Sequence, residues 1–456
     1  VDQALGGGKP WAFHASNIIL HSLCCIALFV YLAERFGRPL AIASTSLFCV
    51  HAVHTENVAA IVARADVLAT LFVLLTLHFA RQENWRRWLV GPSFLLALLS
   101  KEVAVAGIAI VLADLVLNLD SKVRRRLLVV ALASMLAALV AYLGMRYAAL
   151  GVLTTSPKVQ GNPLVDASLV ERLFTCAELL WRSVGLMIAP ITLQADYSFP
   201  AIVPTRAISL GVALGTALWI ALPATILAAR KRAPAIAWGA AVALASYVPV
   251  SNLLVLSPTI FAERLLYFPS IGFVVLVASA ALAALRVFPT HKNILRLLFA
   301  AILCTHVLLS ALRTPDWKSN RSLFTADVIA GSPSMLAHLQ LGYINRTAGN
   351  FAEARLHYER AIVLAPKYAD PYSGLGLTLD LLGDPKGAHG ALQHALKLAP
   401  NCRDCSLALG TFLVKYGRFE AAEAELRRLQ ALSGATSAAS RLQEQLASAR
   451  SQHPGR

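Results

Sequence analysis

The 456-residue chain is short of charge. Only 14% of its residues are Asp, Glu, Lys or Arg, against about 25% in an ordinary soluble domain. With 57% apolar residues and a mean hydropathy of +0.61, this excludes one large soluble protein. It also excludes a disordered chain, because such chains lack the apolar residues to build a core. Cysteine is sparse, seven in all, which excludes a secreted disulfide scaffold. The opening residue is Val1 rather than Met, and residues 1–14 read as a loop entering a helix, with no signal-peptide pattern. The native N-terminus is therefore expected upstream. What the composition leaves is a polytopic membrane protein with a soluble appendage.

Basic residues are in excess, 41 against 25 acidic, for a net charge of +16. They fall in short clusters between apolar runs, where they set membrane orientation rather than bind nucleic acid. The runs lie at 15–33, 39–50, 65–80, 88–100, 102–118, 126–147, 207–229, 235–250, 265–286 and 294–312. Runs 88–100 and 102–118 are split at Lys101-Glu102 and read as two helices, since one helix of that length would overshoot a bilayer core of about 30 Å. Counted as ten spans, the runs put Arg35/Arg38, Arg81/Arg86/Arg87, Lys122/Arg124/Arg125/Arg126, Arg230/Lys231/Arg232 and Arg286/Lys292/Arg296 on one side. The positive-inside rule makes that side the cytoplasm. Residues 1–14, 51–64, 148–206 and 251–264, the Lys101-Glu102 turn and the C-terminal part are then expected outside. The stretch 171–189 carries charges among its apolar residues and reads as an interfacial helix.

The apolar character stops near residue 312. This predicts a membrane domain over 1–312, a linker over 313–334 and a second domain over 335–450. Leu341-Gly342, Leu375-Gly376 and Leu409-Gly410 recur every 34 residues, as do Ala354, Ala388 and Ala422. Ala365-Pro366 and Ala399-Pro400 keep the same spacing. This is the tetratricopeptide pattern, with small residues where two helices touch and Pro after the second helix. Three repeats are predicted at 335–368, 369–402 and 403–436, followed by a polar capping helix over 437–450. The fold class is therefore all-α: a polytopic transmembrane bundle followed by an α-solenoid. Such a solenoid offers a surface for a peptide or protein and no chemistry of its own. Cys402-x-x-Cys405 lacks the second pair of a zinc site and reads as two small structural cysteines, with a local disulfide as the alternative.

Ionisable residues in a membrane domain are costly and usually have a partner or a task. Here they gather at the outer helix ends. His14, Asn17 and His21 share one helix face. His51, His54 and Glu56 precede Arg64 and Asp66. A metal reading is weak, because the H-E-x-x-H spacing is absent, and no metal site is expected. A phosphate site is favoured: Arg64 offers a fork for a phosphate and Glu56 can handle a proton. Lys101 reads either as an ion-pair partner of Glu102 or as a lipid-phosphate contact. Glu263 and Arg264 enter a span, with Tyr267 as an interfacial belt residue. Four polar groups on one side suit a substrate with an apolar tail and an anionic head.

Taken in order, the motifs are His14-x-x-Asn17-x-x-x-His21, His51-Ala-Val-His54-Thr-Glu56, Arg64-Ala-Asp66 and Ser100-Lys101-Glu102. Glu263-Arg264-x-Leu-Tyr267-x-Pro269-Ser270-x-Gly272 and Trp317-x-x-Asn320 follow, and then the repeats. Over residues 10–436 this resembles the transmembrane and tetratricopeptide-repeat (TMTC-type) proteins. The resemblance implies a GT-C-type glycosyltransferase that moves a sugar, mannose, from a polyprenyl or dolichyl phosphate to Ser or Thr of a protein. Transfer would occur on the periplasmic or luminal face of a bacterial inner membrane or the endoplasmic reticulum. It implies catalytic roles for His51, His54 and Glu56, and phosphate contacts by Arg64, Lys101 and Arg264. His14, Asn17, His21, Asp66, Glu102 and Glu263 would line the site, and the repeats would present the acceptor. The family's acidic pair lies in a first outer loop that precedes this chain's first residues, and the family's His-Pro is His51-Ala52 here. The alternative is a non-catalytic membrane scaffold whose repeats recruit partners.

Overall fold

The computed structural model describes residue 7 and residues 10–118, 121–153, 161–432 and 434–452. Residues 1–6, including Asp2, and the side chains of Lys122 and Arg124 lie outside the described residues. The described chain is helical, with no strand among those residues. It divides into two compact units: residues 1–195 with 202–318, and residues 196–201 with 319–456.

Each of the ten apolar runs becomes a helix in the first unit. These are α1 (Pro10–Phe36), α2 (Arg38–Val50), α4 (Arg64–Ala80), α5 (Val90–Ser100) and α6 (Ala106–Asn118). The series continues with α7 (Ser121–Leu150), α9 (Leu210–Ala229), α10 (Pro234–Tyr247), α11 (Pro269–Val287) and α12 (Lys292–Arg313). Two helices stand between them: α3 (Thr55–Ala59) and the amphipathic α8 (Leu169–Ile188). Ser168 and Glu171 form a capping box at the start of α8, so its first orphan amides are satisfied. Five helices are long and apolar enough to cross a membrane, or six if the bent pair 52–59 and 64–80 is one span. α2 and the helical stretch 234–250 are apolar but shorter, which is why ten runs do not give ten full-length spans among the described residues. Large apolar side chains face outward on these helices: Leu210 is 76% exposed, Ile220 67% and Leu297 70%. Water would not tolerate such a surface and lipid would. The protein is a membrane protein.

The bundle is closed by an apolar core that includes Leu28, Tyr31, Phe48, Leu74, Phe94, Ile110, Trp238 and Val275. Two helix pairs approach until backbones touch. A Cβ on Gly272 of α11 would run into the backbone of Gly239 and Ala243 of α10, and one on Gly215 of α9 into Ala177 of α8. With no hydrophobic effect between lipid-embedded helices, such close approach supplies the packing. At one end of α1 and α4, Arg35 and Arg81 both engage Asp114 of α6, at 3.5 and 3.0 Å. These belong to two of the basic clusters that the sequence reading places on one side.

The second unit is the solenoid. It comprises α13 (Asn320–Ile329), α14 (Met335–Thr347), α15 (Phe351–Leu364), α16 (Ala369–Leu381), α17 (Pro385–Leu398), α18 (Arg403–Lys415), α19 (Phe419–Ala431) and α20 (Thr436–Gln452). The small residues of the 34-residue pattern sit at the helix contacts: Ala354, Ala361, Ala388, Ala395 and Ala422 are all fully buried. Each Leu-Gly glycine is a seat for a larger side chain, Tyr358 over Gly342, Leu392 over Gly376 and Leu442 over Gly410. The turns within repeats carry Gly349, Gly383 and Gly417, 34 residues apart, at φ of +83°, +82° and +70°, where only glycine is unstrained. Cys402 and Cys405 are joined as a disulfide. This corrects their reading as two separate small residues: one helical turn at the start of α18 brings their Cα atoms to 5.3 Å, within disulfide range. Residues 196–201, expected only as part of an outer loop, belong to this unit: Asp196 accepts from Ser334 at 2.7 Å, and Phe199 stacks on Tyr368.

His338 and His357 face each other with their Nδ1 atoms 3.1 Å apart. Burial, then His357 and Arg360, pushes His338 down to about 4, and burial lowers His357. Glu353 and Arg321 also act on His357, in opposite directions. The unfolded chain takes up these protons near pH 6.5 and the folded chain refuses them. Stability is then expected to fall between pH 6.5 and 4, on the order of 1 kcal/mol after solvent screening. Thermal melts of the full chain across that range check this. Equal pH dependence in wild type and His338→Gln would contradict it.

Candidate functional site

At the other end of α1 and α4, the two histidine motifs and the segment after α12 line a cavity of about 500 Å³, while Asn17, Glu56, Arg64, Asp66, Lys101, Glu263 and Arg264 lie outside its lining. It is lined by His14, His21, Cys49, His51, His54, Thr55, Ser310, Trp317 and Lys318, with apolar neighbours. Local geometry explains why. α2 ends at Val50, and a 3-10 turn over Ala52–His54 reverses the chain into α3. That turn swings both His51 and His54 inward, 1% and 2% exposed.

Three of the four cavity histidines are fixed by hydrogen bonds. His51 Nε2 donates to Met187 O at 2.9 Å, while its Nδ1 accepts from the Val53 amide at 3.3 Å. His54 Nδ1 donates to Phe48 O at 2.9 Å, and Nε2 lies 2.9 Å from Ser270 Oγ. His21 Nε2 donates to Cys49 O at 3.1 Å, and its Nδ1 lies 2.8 Å from the Tyr267 hydroxyl. Tautomers follow from the carbonyl partners, which can only accept. His14 is half-buried and makes no side-chain hydrogen bond among the described residues.

The acids and cations pair with one another. Glu56 is 3% exposed and receives both the Arg264 amide and its guanidinium. Asp66, 6% exposed, takes Lys101 Nζ on both carboxylate oxygens at 2.7 Å. Lys101 therefore pairs with Asp66 and not with Glu102, because the 3-10 turn that follows α5 leaves Glu102 exposed. Glu102 lines a separate, mostly apolar cavity of about 700 Å³ with Val103, Ala106, Leu244 and Val255 among its walls. Arg64 lies over the Phe13 ring, 5.5 Å from its centroid. Asn17 holds the end of α3 and the residue after it, donating to Val58 O and Ala60 O at 3.1 Å each.

The segment Glu263 to Gly272 is accounted for residue by residue. Glu263 accepts from the Gln194 amide, Arg264 clamps Glu56, Tyr267 meets His21 and Ser270 meets His54. Gly272 admits α10. Tyr267 is fully buried, which corrects its reading as an interfacial belt residue. Its ring is enclosed by Phe48, His54 and His21. Sequence reasoning passed over His306 of α12, whose ring centroid lies 4.3 Å from that of His51. A lone histidine in an apolar run was the available signal. It also passed over Lys318, which lines the cavity from the segment after α12.

Fold and site together define a polytopic helical membrane protein with a histidine-lined cavity at one end of its bundle and a tetratricopeptide solenoid following in sequence. The tetratricopeptide repeat family model matches residues 381–446. The curated homologues over most of the chain are TMTC proteins. The human protein O-mannosyl-transferase TMTC1 is 28% identical over 82% of this chain and 48% of its own length. Drosophila melanogaster protein O-mannosyl-transferase Tmtc3 is 24% identical over 87% and 50%. Human protein O-mannosyl-transferase TMTC4 is 28% identical over 77% and 55%. The chain spans about half the length of these relatives. A match to the crystal structure of yeast Tom70 covers 96% of both chains at 11% identity and a TM-score of 0.27, too weak to bear on the fold.

Proposed function

We propose that this chain belongs to a membrane glycosyltransferase that moves mannose from a polyprenyl or dolichyl phosphate to Ser or Thr of a protein. The observation that carries the reading is the meeting of the two histidine motifs and the Trp317–Lys318 segment on one cavity, in a chain whose relatives are named protein O-mannosyl-transferases. The acceptor oxygen forms a bond to the anomeric carbon as the bond from that carbon to the phosphate oxygen breaks. A base takes the hydroxyl proton, and cations steady the departing phosphate.

We read the roles from the pairings that the side chains make. Glu56 has both oxygens on Arg264, so it acts as a positioning residue for that cation. His51, His54 and His21 have their ring nitrogens engaged and form the cavity wall. His14 is the cavity histidine without such engagement, and Lys318 is a cation on the same cavity. We assign His14 to the acceptor hydroxyl and Lys318 to the phosphate. Arg264, Arg64 and Lys101 with Asp66 form the charged framework beside them. The apolar cavity at Glu102 suits the lipid tail. By the basic clusters, the cavity and the repeats lie on the periplasmic or luminal side of the membrane, and the repeats hold the acceptor protein.

The test uses the full-length protein in detergent, with polyprenyl-phosphate-linked labelled mannose and a Ser/Thr-rich peptide. Lys318→Ala is expected to reduce transfer at least tenfold with no change in melting temperature, because its side chain is exposed. Full activity in that variant would remove Lys318 from the phosphate site. No transfer from folded wild-type protein with several sugars and acceptors would favour the non-catalytic scaffold.

A further inference from the structure

We propose that His21, Cys25 and Cys49 form a binding site for one Zn²⁺ ion at the wall of the histidine-lined cavity. The three residues come from two helices. His21 and Cys25 are four residues apart on α1 and so share a face, and Cys49 lies in the last turn of α2. One ligand atom from each, an imidazole nitrogen and two sulfurs, lies within 4.8 Å of the others. Cys25 Sγ is 3.8 Å from His21 Nε2. Zinc bonds of about 2.3 Å to sulfur and 2.0 Å to nitrogen put ligand atoms roughly 3.5–4 Å apart. Closure onto an ion therefore needs movements below about 1 Å.

Charge supports the choice of ion. Two thiolates and a neutral imidazole cancel Zn²⁺, so no net charge is placed in the bundle, where an uncompensated one is costly. Soft sulfur ligands select such an ion over Mg²⁺ or Ca²⁺. A route in exists: His21 and Cys25 are buried, while Cys49 is exposed and lines the cavity with His21. Three protein ligands would leave a fourth zinc position unfilled, as in sites that take water or a substrate oxygen. A partner for the ligand is in place as well. Zinc on His21 Nε2 displaces its contact with Cys49 O and moves the ring proton to Nδ1, 2.8 Å from the Tyr267 hydroxyl, which can accept it. Cys24, next in sequence to Cys25, instead directs its thiol to Val67 O and serves as the internal control.

Full-length Cys402→Ser/Cys405→Ser protein, which lacks the second thiol pair that reduction of the solenoid disulfide would free, purified in detergent under reducing conditions, would be equilibrated with Zn²⁺ and passed over a weak chelator. Metal analysis is expected to show one zinc per chain. Co²⁺ substitution should give a thiolate-to-cobalt charge-transfer band. Cys25→Ser and Cys49→Ser should each lower the affinity more than tenfold and abolish the band, while Cys24→Ser keeps both. Zinc retained when Cys25→Ser and Cys49→Ser are both added, no zinc in the starting protein, or a Cys25–Cys49 disulfide in the reduced preparation would each overturn the site. The readout is metal content, so it stands apart from the outcome of any transfer assay.

Discussion

Lys101→Ala is expected to lower the recovery of folded protein sharply, as well as abolish transfer. The lysine sits with its ammonium on both oxygens of a carboxylate that is 6% exposed. Removing one partner of a buried ion pair costs about 3–5 kcal/mol, because the other charge is left uncompensated. The expected loss is therefore a structural one first. Asp66→Asn combined with Lys101→Met removes both charges and keeps similar volumes, so most of the stability should return. Melting temperatures of the single and double variants, with transfer measured on each, separate the two roles. A stable double variant that is inactive puts the pair in the chemistry, and an active one makes it scaffolding. A single variant that melts with wild type would contradict the buried ion pair.

Gly272→Val is the second large effect. The α10–α11 crossing has no room for a Cβ, since the atoms it would meet are backbone of Gly239 and Ala243 and cannot rotate away. The helices must part, and the consequences reach the site, because α11 also carries Ser270 against His54. A loss of about 3 kcal/mol is expected, the upper end of what overpacking a core costs, and with it loss of the His54–Ser270 contact. Detergent melting checks this. Gly144→Val is the comparison, since a Cβ there meets nothing within 4 Å. Equal melting of the two variants would contradict the tight crossing.

The helices of both units were legible because apolar runs and a 34-residue period are local patterns, written in consecutive residues. The repeat positions at Ala354, Ala388 and Ala422 needed no structure to find. The polar motifs themselves stand out in the sequence as ionisable residues beside apolar runs. Pairing was not legible. That Lys101 goes to Asp66 and Arg264 to Glu56 depends on how α3, α4 and the Glu263–Leu266 turn meet, across separations of 35 and 208 residues. Charge type alone allowed other pairings, Lys101 with Glu102 among them. Tyr267 was misread for a similar reason. A tyrosine at the start of an apolar run fits a membrane belt, and only the packing of Phe48, His21 and His54 around it shows that it is interior. The six residues 196–201 joined the solenoid unit through Asp196 and Phe199, which no periodicity announces.

The positive-φ glycines at 349, 383 and 417 mark the repeats as interchangeable cassettes. A block cut from one of these turns to the next begins and ends in the same backbone conformation, so a copy can be spliced in without bending the chain at either seam. What a copied block must match is the seat it presents, since Gly342 and Gly374 receive a tyrosine where Gly376 receives a leucine. The array can thus grow or shrink by whole cassettes, its length set by duplication and its limits by the fit of one aromatic ring.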